Sequence, residues 1–67
     1  MFKVEKEIQD GQEYFVMIHT NEDNEDLGPV FAAPSFKEFE DDVIETQAQG
    51  NAMYNALARF KEANGIT

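Results

Sequence analysis

Apolar residues follow two different periods along this 67-residue chain. Between residues 2 and 8 they recur about every second position, where Phe2, Val4 and Ile8 alternate with charged neighbours, and residues 13–20 (EYFVMIHT) form a return strand that is apolar on both faces. A period of two is typical of β-strands, and an Asp-Gly pair between two such runs is typical of a hairpin turn. Because Asp10-Gly11 divides this stretch in two, residues 2–20 predict a β-hairpin.

The alternation leaves two registers for the hairpin. A two-residue Asp10-Gly11 turn places Val4 opposite Met17, whereas a three-residue turn with a glycine bulge places Val4 opposite Val16. We expect the second register, because it gathers more apolar side chains on one face: Phe2, Val4, Ile8, Tyr14, Val16 and Ile18. Phe15 and Met17 would then lie on the side away from the helical part of the chain.

An acidic stretch follows the hairpin. Residues 21–26, with the sequence NEDNED, contain no apolar residue and predict a solvated loop. Residues 30–33 (VFAA) predict a short third strand. A sheet order of 1-2-3 places the apolar second strand in the centre.

The remaining chain has a helical period from Ser35 to Asn64. Ser35 followed by Glu38 is typical of a capping box, and Asn64-Gly65 is typical of a left-handed helix end. Apolar residues three or four apart form one broad face that consists of Phe36, Phe39, Val43, Met53, Tyr54, Leu57 and Phe60.

The length of this segment indicates a break. A continuous helix of about thirty residues would be roughly 45 Å long. A compact chain of this size has a diameter of roughly 28 Å. We therefore favour a break at Gln49-Gly50-Asn51, with Asn51 capping a second helix, while one long helix remains open if its end is buried in a dimer.

These patterns predict an α+β fold in one domain over residues 1–67. A three-stranded antiparallel β-meander is followed by a C-terminal helical segment, one long helix or two, packed on one face of the sheet. The expected core consists of Val4, Val16, Ile18, Phe36, Phe39, Val43, Leu57 and Phe60.

Composition narrows the classes of function. Fourteen acidic residues against five basic ones give a net charge of −9, which argues against direct binding to nucleic acid or to an anionic membrane. There is no cysteine, and no apolar run approaches the ~20 residues that span a bilayer. We expect a cytoplasmic, non-catalytic protein with no cofactor and no metal site.

The acid is concentrated in two places. A loop cluster consists of Glu22, Asp23, Glu25 and Asp26, and a helix cluster consists of Glu38, Asp41, Asp42 and Glu45. The helix cluster has the spacing i, i+3, i+4 and i+7, which places its four carboxylates on one face. One interpretation is an ordinary solvated surface. The other is a surface that imitates the phosphates of nucleic acid and binds a basic protein.

Apolar residues outside the expected core suggest a second type of contact. If Phe15 and Met17 are uncovered, or if Met53 and Phe60 extend beyond the sheet, they form an apolar interface of the kind that pairs two chains. The sequence therefore also permits a homodimer.

Catalytic groups are scarce. The single serine is explained as a helix cap, and one histidine without cysteine makes a transition-metal site improbable.

In size and clustered acidity the chain resembles, in general character, the small acidic inhibitors of bacteriophages and mobile elements, some of which mimic DNA. We therefore expect an inhibitor of a basic nucleic-acid-handling protein. The alternative is a self-associating accessory domain whose acidic surface serves solubility.

Overall fold

The computed structural model describes residues 1–46 and 52–66. Three strands, β1 (Phe2–Gln9), β2 (Gln12–Thr20) and β3 (Asp26–Ala33), precede two helices, α1 (Phe36–Glu45) and α2 (Ala52–Ala63). The strands form an antiparallel sheet in the order β1-β2-β3. Helix α2 packs over β1 and α1 packs over β2 and β3, on the same face of the sheet. The predicted meander followed by a C-terminal helical segment is confirmed.

The hairpin adopts the register that we did not expect. Val4 lies opposite Met17 and Gln9 opposite Gln12, so the turn contains only Asp10 and Gly11. Their φ angles are 53° and 78°. Positive φ at both central positions defines a type I′ turn, whose twist matches that of the flanking strands. The geometry of the turn therefore determines the register, rather than the number of apolar side chains gathered on one face. The expected three-residue turn is wrong.

This register reverses the expected faces of β2. Phe15 and Met17 face the helices and belong to the main core, whereas Val16 and Ile18 lie on the opposite face of the sheet. Met53 is also buried in the core, and Phe60 packs against it. The expected apolar interface of Phe15, Met17, Met53 and Phe60 is therefore wrong in its location, because these side chains pack inside the chain.

The third strand is longer than the sequence indicated. It begins at Asp26 rather than Val30, because Pro29, Gly28 and Asp26 also pair with β2. Two bulges in the strand accompany this additional pairing. Met17 pairs with Phe31 and Ile18 with Pro29, so Val30 between them has no opposite residue on β2. Residues left over at a bulge do not point with the alternating ladder, and Val30 is accordingly exposed.

The helix ends follow local sequence. Ser35 Oγ accepts a hydrogen bond from the Glu38 N–H at 3.3 Å, as the capping box predicted. After α2, Gly65 has a φ of 67°, and the Ile66 N–H donates to Lys61 O at 2.8 Å. This 6→1 bond is that of a Schellman motif and confirms the predicted left-handed exit.

The helical segment comprises two helices rather than one long helix. Helix α1 ends at Glu45, and the N–H of its C-cap residue Thr46 donates to Asp42 O at 3.1 Å. The expected break at residues 49–51, and the expected cap at Asn51, fall outside the described residues.

An aromatic cluster fills the space between sheet and helices. Phe39 is completely buried and lies within 5.5 Å of Phe31 and 6.3 Å of Phe15, measured between ring centroids. Of the expected core residues, Phe39, Val43 and Leu57 are buried here, and Val4, Phe36 and Phe60 are partly buried against them. Val16 and Ile18 are buried too, but on the other face.

Candidate acidic interaction surface

The loop cluster is exposed and its backbone is organised by one side chain. Asn21 Oδ1 accepts hydrogen bonds from the N–H groups of Asp23 and Glu25, both at 2.9 Å. A backbone bond from Asn21 N to Glu25 O at 3.1 Å closes the turn. The short polar side chain of Asn24 accommodates a φ of 63°. The turn therefore fixes the backbone that carries Glu22, Asp23 and Glu25, and leaves their carboxylates in solvent.

The helix cluster lies on the outer side of α1. Glu38, Asp41, Asp42 and Glu45 are all exposed, while Phe39 and Val43 of the same helix are buried. The separation of acidic and apolar faces follows from the 3.6-residue period. Only Asp41 has a cationic neighbour on α1, at 3.5 Å from the largely exposed Lys37 Nζ. Exposed pairs of this kind neutralise little of the field around them.

Glu40 differs from the other acids of α1. It turns towards α2, where its Oε2 lies 2.9 Å from Lys61 Nζ. Both side chains are about one-third exposed. Glu40 therefore joins the two helices and does not belong to the outward-facing cluster.

The two clusters lie at opposite ends of β3. The loop cluster leads into its first residue, and α1 begins three residues after its last. An eight-residue strand is about 23 Å long, although bulges shorten it. Residues 21–46 contain nine of the fourteen acids and one of the five basic residues. The β3 side of the molecule is thus strongly anionic, whereas β1 and α2 hold the other four cations.

Asp26 also forms an ion pair with β1 that the sequence did not indicate. Its Oδ1 lies 2.6 Å from Lys3 Nζ, and Glu5 Oε1 lies 2.9 Å from the same ammonium. The hydrogen bond with Asp26, followed by that with Glu5, raises the pKa of Lys3. Within the described residues, Asp26 is therefore the one member of the loop cluster that forms an ion pair, while Glu25 Oε1 accepts a hydrogen bond from Asn21 Nδ2 at 3.3 Å.

The face of the sheet away from the helices also contains carboxylates. A groove of about 530 Å³ runs over Val16, Ile18 and Pro29, bordered by Glu5, Glu7 and Asp26. From the sequence we expected Glu5 and Glu7 to border an apolar strand patch of Phe15 and Met17, not to lie beside Asp26. The sequence shows that they lie near Lys3 and Lys6 along β1. Their position beside Asp26, however, depends on the pairing of all three strands.

Two further open grooves flank the helices. One, of about 300 Å³, lies between α1 and α2 and exposes Ile44 and Tyr54 over Leu57. The other, of about 500 Å³, lies beside β1 under α2.

Within residues 1–46 and 52–66, no group of three or more histidine or acidic side chains is arranged to hold a metal ion. Neither helix of the described part is long and apolar enough to cross a membrane.

Comparison with known proteins adds no relative. No protein-family profile matches the chain, and neither the curated proteins nor the solved structures contain a significant match.

Proposed function

We propose that this protein is a non-catalytic binding protein that blocks a basic, nucleic-acid-handling protein through the loop and helix clusters. The observation that carries the proposal is the uneven distribution of charge. All eight carboxylates of the two clusters are exposed, and they flank one strand on the side of the molecule with the fewest cations.

The charge density of the helix cluster is comparable to that of a nucleic-acid strand. Residues 38–45 cover roughly 10 Å of helix axis and present four carboxylates. One strand of B-DNA presents about three phosphates over the same distance, at one per 3.4 Å. A basic groove that binds a phosphate backbone therefore offers charges at a spacing that α1 can also meet.

Charge attraction of this type acts mainly on association. Each exposed pair contributes well under ~1 kcal/mol. Eight carboxylates of one sign still produce a field that raises the association rate with a cationic partner, and that field weakens as salt is added. We therefore expect binding that is fast at low ionic strength and falls steeply with salt.

The test uses charge reversal at the helix cluster. The variant Asp41→Lys, Asp42→Lys, Glu45→Lys changes three exposed side chains and leaves the core untouched. Wild type and variant serve as baits in a bacterial lysate at low and high salt, and captured proteins are identified by mass spectrometry. The captured protein is then purified, and its binding to a labelled DNA or RNA duplex is measured with each bait as competitor.

A matched control distinguishes the effect of where the charges are changed from the effect of the net charge of the protein. The variant Glu7→Lys, Glu13→Lys, Glu62→Lys has the same net charge but changes residues on the hairpin and α2. We expect wild type and this control to displace nucleic acid from the captured protein, and the helix-cluster variant to fail. Equal displacement by the helix-cluster variant at matched salt would exclude the proposal. Equal failure of both variants would assign the effect to net charge alone.

A further inference from the structure

The outer edge of β1 presents free backbone groups. Thr20 N donates to Met1 O at 2.8 Å, and the Met1 amino group donates to Thr20 O at 2.9 Å. Hydrogen-bonded pairs alternate along an antiparallel ladder. The odd-numbered residues of β1 therefore direct their N–H and C=O groups towards β2, and the even-numbered residues direct theirs towards the outer edge. Within the described residues, Phe2 O on this edge is bonded by Arg59 Nη2, at 3.2 Å. In the part of the chain that the structure describes, the N–H and C=O groups of Val4 and Lys6 have no hydrogen-bond partner, so they can pair with another strand.

The two edges of the sheet are not protected equally. On β3, Pro29 lacks an N–H and two register shifts interrupt the ladder. Proline and bulges are common ways to prevent a sheet edge from pairing. β1 has eight residues with no proline, no glycine and no register shift. A regular edge of this length is therefore suited to strand addition.

Charge makes β1 the strand best suited to a second copy of the same chain. It contains Lys3 and Lys6 against Glu5 and Glu7, so it is neutral in a chain whose net charge is −9. Two copies that approach through their β3 sides would bring both acidic clusters together. An approach through β1 keeps those clusters apart.

We propose that β1 of a second copy pairs antiparallel with this edge about a two-fold axis at Glu5. In this register Val4 lies opposite Lys6 of the second copy, and the outward groups of both residues form four hydrogen bonds across the axis. Lys3 lies opposite the second Glu7, and Phe2 opposite the second Ile8. The pairing gives Ile8, which is 72% exposed and the most exposed large apolar side chain in the described chain, a partner.

One feature lowers the electrostatic cost of this arrangement. The two Glu5 side chains face each other at the axis, but in each copy Lys3 Nζ lies 2.9 Å from the Glu5 carboxylate of the same copy. The groove of about 500 Å³ beside the edge is lined on α2 by Ala56, Arg59, Phe60, Ala63 and Asn64, and it leaves space next to β1. The pairing produces a continuous six-stranded sheet. Both β3 edges, with their acidic clusters, remain at its ends.

The first experiment measures self-association of the full chain. Sedimentation velocity from micromolar to millimolar concentration should show a reversible monomer–dimer equilibrium. Lys6→Pro removes one outward N–H without removing a β1–β2 bond, and Lys6→Ala removes the charge but keeps that N–H. We expect Lys6→Ala to dimerise like wild type. Lys6→Pro should raise the dissociation constant by at least about tenfold, because two symmetric hydrogen bonds are lost.

Amide hydrogen exchange on the wild-type protein provides a second readout that does not depend on a proline variant folding. The Val4 and Lys6 amides should exchange slowly at high concentration and quickly at low concentration, while the Glu5 amide, bonded to β2, should be protected at both. Exchange at Val4 and Lys6 that does not depend on concentration would overturn the proposal. A chain that stays monomeric at millimolar concentration would do the same.

Discussion

Lys3 and Asp26 connect the two edge strands across the open face of the sheet. Their Nζ and Oδ1 atoms are 2.6 Å apart. Lys3 pairs with Ile18, and Asp26 pairs with Thr20, so the ion pair crosses β2 diagonally between these two residues. Ile18 is only 5% exposed, although neither helix lies on this face. Because Lys3 is the β1 partner of Ile18, we expect its methylene groups to cover Ile18, since a lysine stem can cover apolar surface while its ammonium stays in solvent.

This relationship predicts different effects for two substitutions of Lys3. Lys3→Met keeps an unbranched stem over Ile18 and removes the charge, whereas Lys3→Ala removes both. We expect Lys3→Ala to lower the melting temperature more than Lys3→Met, as measured by circular dichroism. Equal melting temperatures would mean that the stem does not cover Ile18.

The same ion pair predicts a pH dependence in the alkaline range. Asp26 and then Glu5 raise the pKa of Lys3 in the folded chain. The stabilisation is therefore complete below the lysine pKa of the unfolded chain, about 10.4, and is lost as the pH rises through the higher folded value. The melting temperature of wild type minus that of Lys3→Met should be constant from pH 7 to about 9.5 and then decline. A difference that stays constant to pH 12 would contradict the assigned cause.

Sequence reasoning succeeded where structure is decided locally. The Ser35 cap and the Gly65 exit each depend on a few adjacent residues, and both are confirmed. The turn was correctly located at Asp10-Gly11, but it has two residues rather than the expected three. The apolar face of α1 was also predicted correctly, because a helix has a fixed period. The exposure of both acidic clusters followed from the same periodicity and from the absence of apolar residues in the loop.

The errors concern choices that depend on distant partners. Residues 14–18 of β2 are apolar on both faces, so their own pattern does not indicate which face the helices cover. Asp10-Gly11 is compatible with two registers, and one residue of slip moves Met17 from the open face to the core. The pairing of Asp26 with Lys3 requires both bulges of β3. Gly28 and Pro29 are residue types that are common at bulges, but they do not indicate at which positions the pairing shifts.

The central position of Phe39 predicts a large loss of stability on truncation. It is completely buried and contacts aromatic rings from β2, β3 and α1. Phe39→Ala should cost about 3–5 kcal/mol, because it removes a buried ring and leaves a cavity. Tyr54→Ala, at a residue that is 52% exposed, serves as the control and should cost clearly less, because about half of that ring is already in solvent. Urea denaturation measures both, and similar values for the two would contradict the assigned core.

The distribution of charge predicts how stability responds to salt. At a net charge of −9, with nine acids within residues 21–46, mutual repulsion destabilises the folded chain and is relieved by screening. Added NaCl should therefore raise the melting temperature of wild type. Replacing Asp41, Asp42 and Glu45 by lysine changes the net charge from −9 to −3, so the salt dependence should become weaker.

Glu45 contributes separately to this effect. It is the last residue of α1, whose final turn contains no basic side chain, so its carboxylate lies at the negative end of the helix dipole. Glu45→Lys alone should stabilise the protein by about 0.3–1 kcal/mol at low salt. Glu7→Lys, Glu13→Lys, Glu62→Lys reaches the same net charge of −3 outside the cluster and should reduce the salt dependence less. If both triple variants respond to salt equally, total charge rather than its concentration near β3 determines the repulsion.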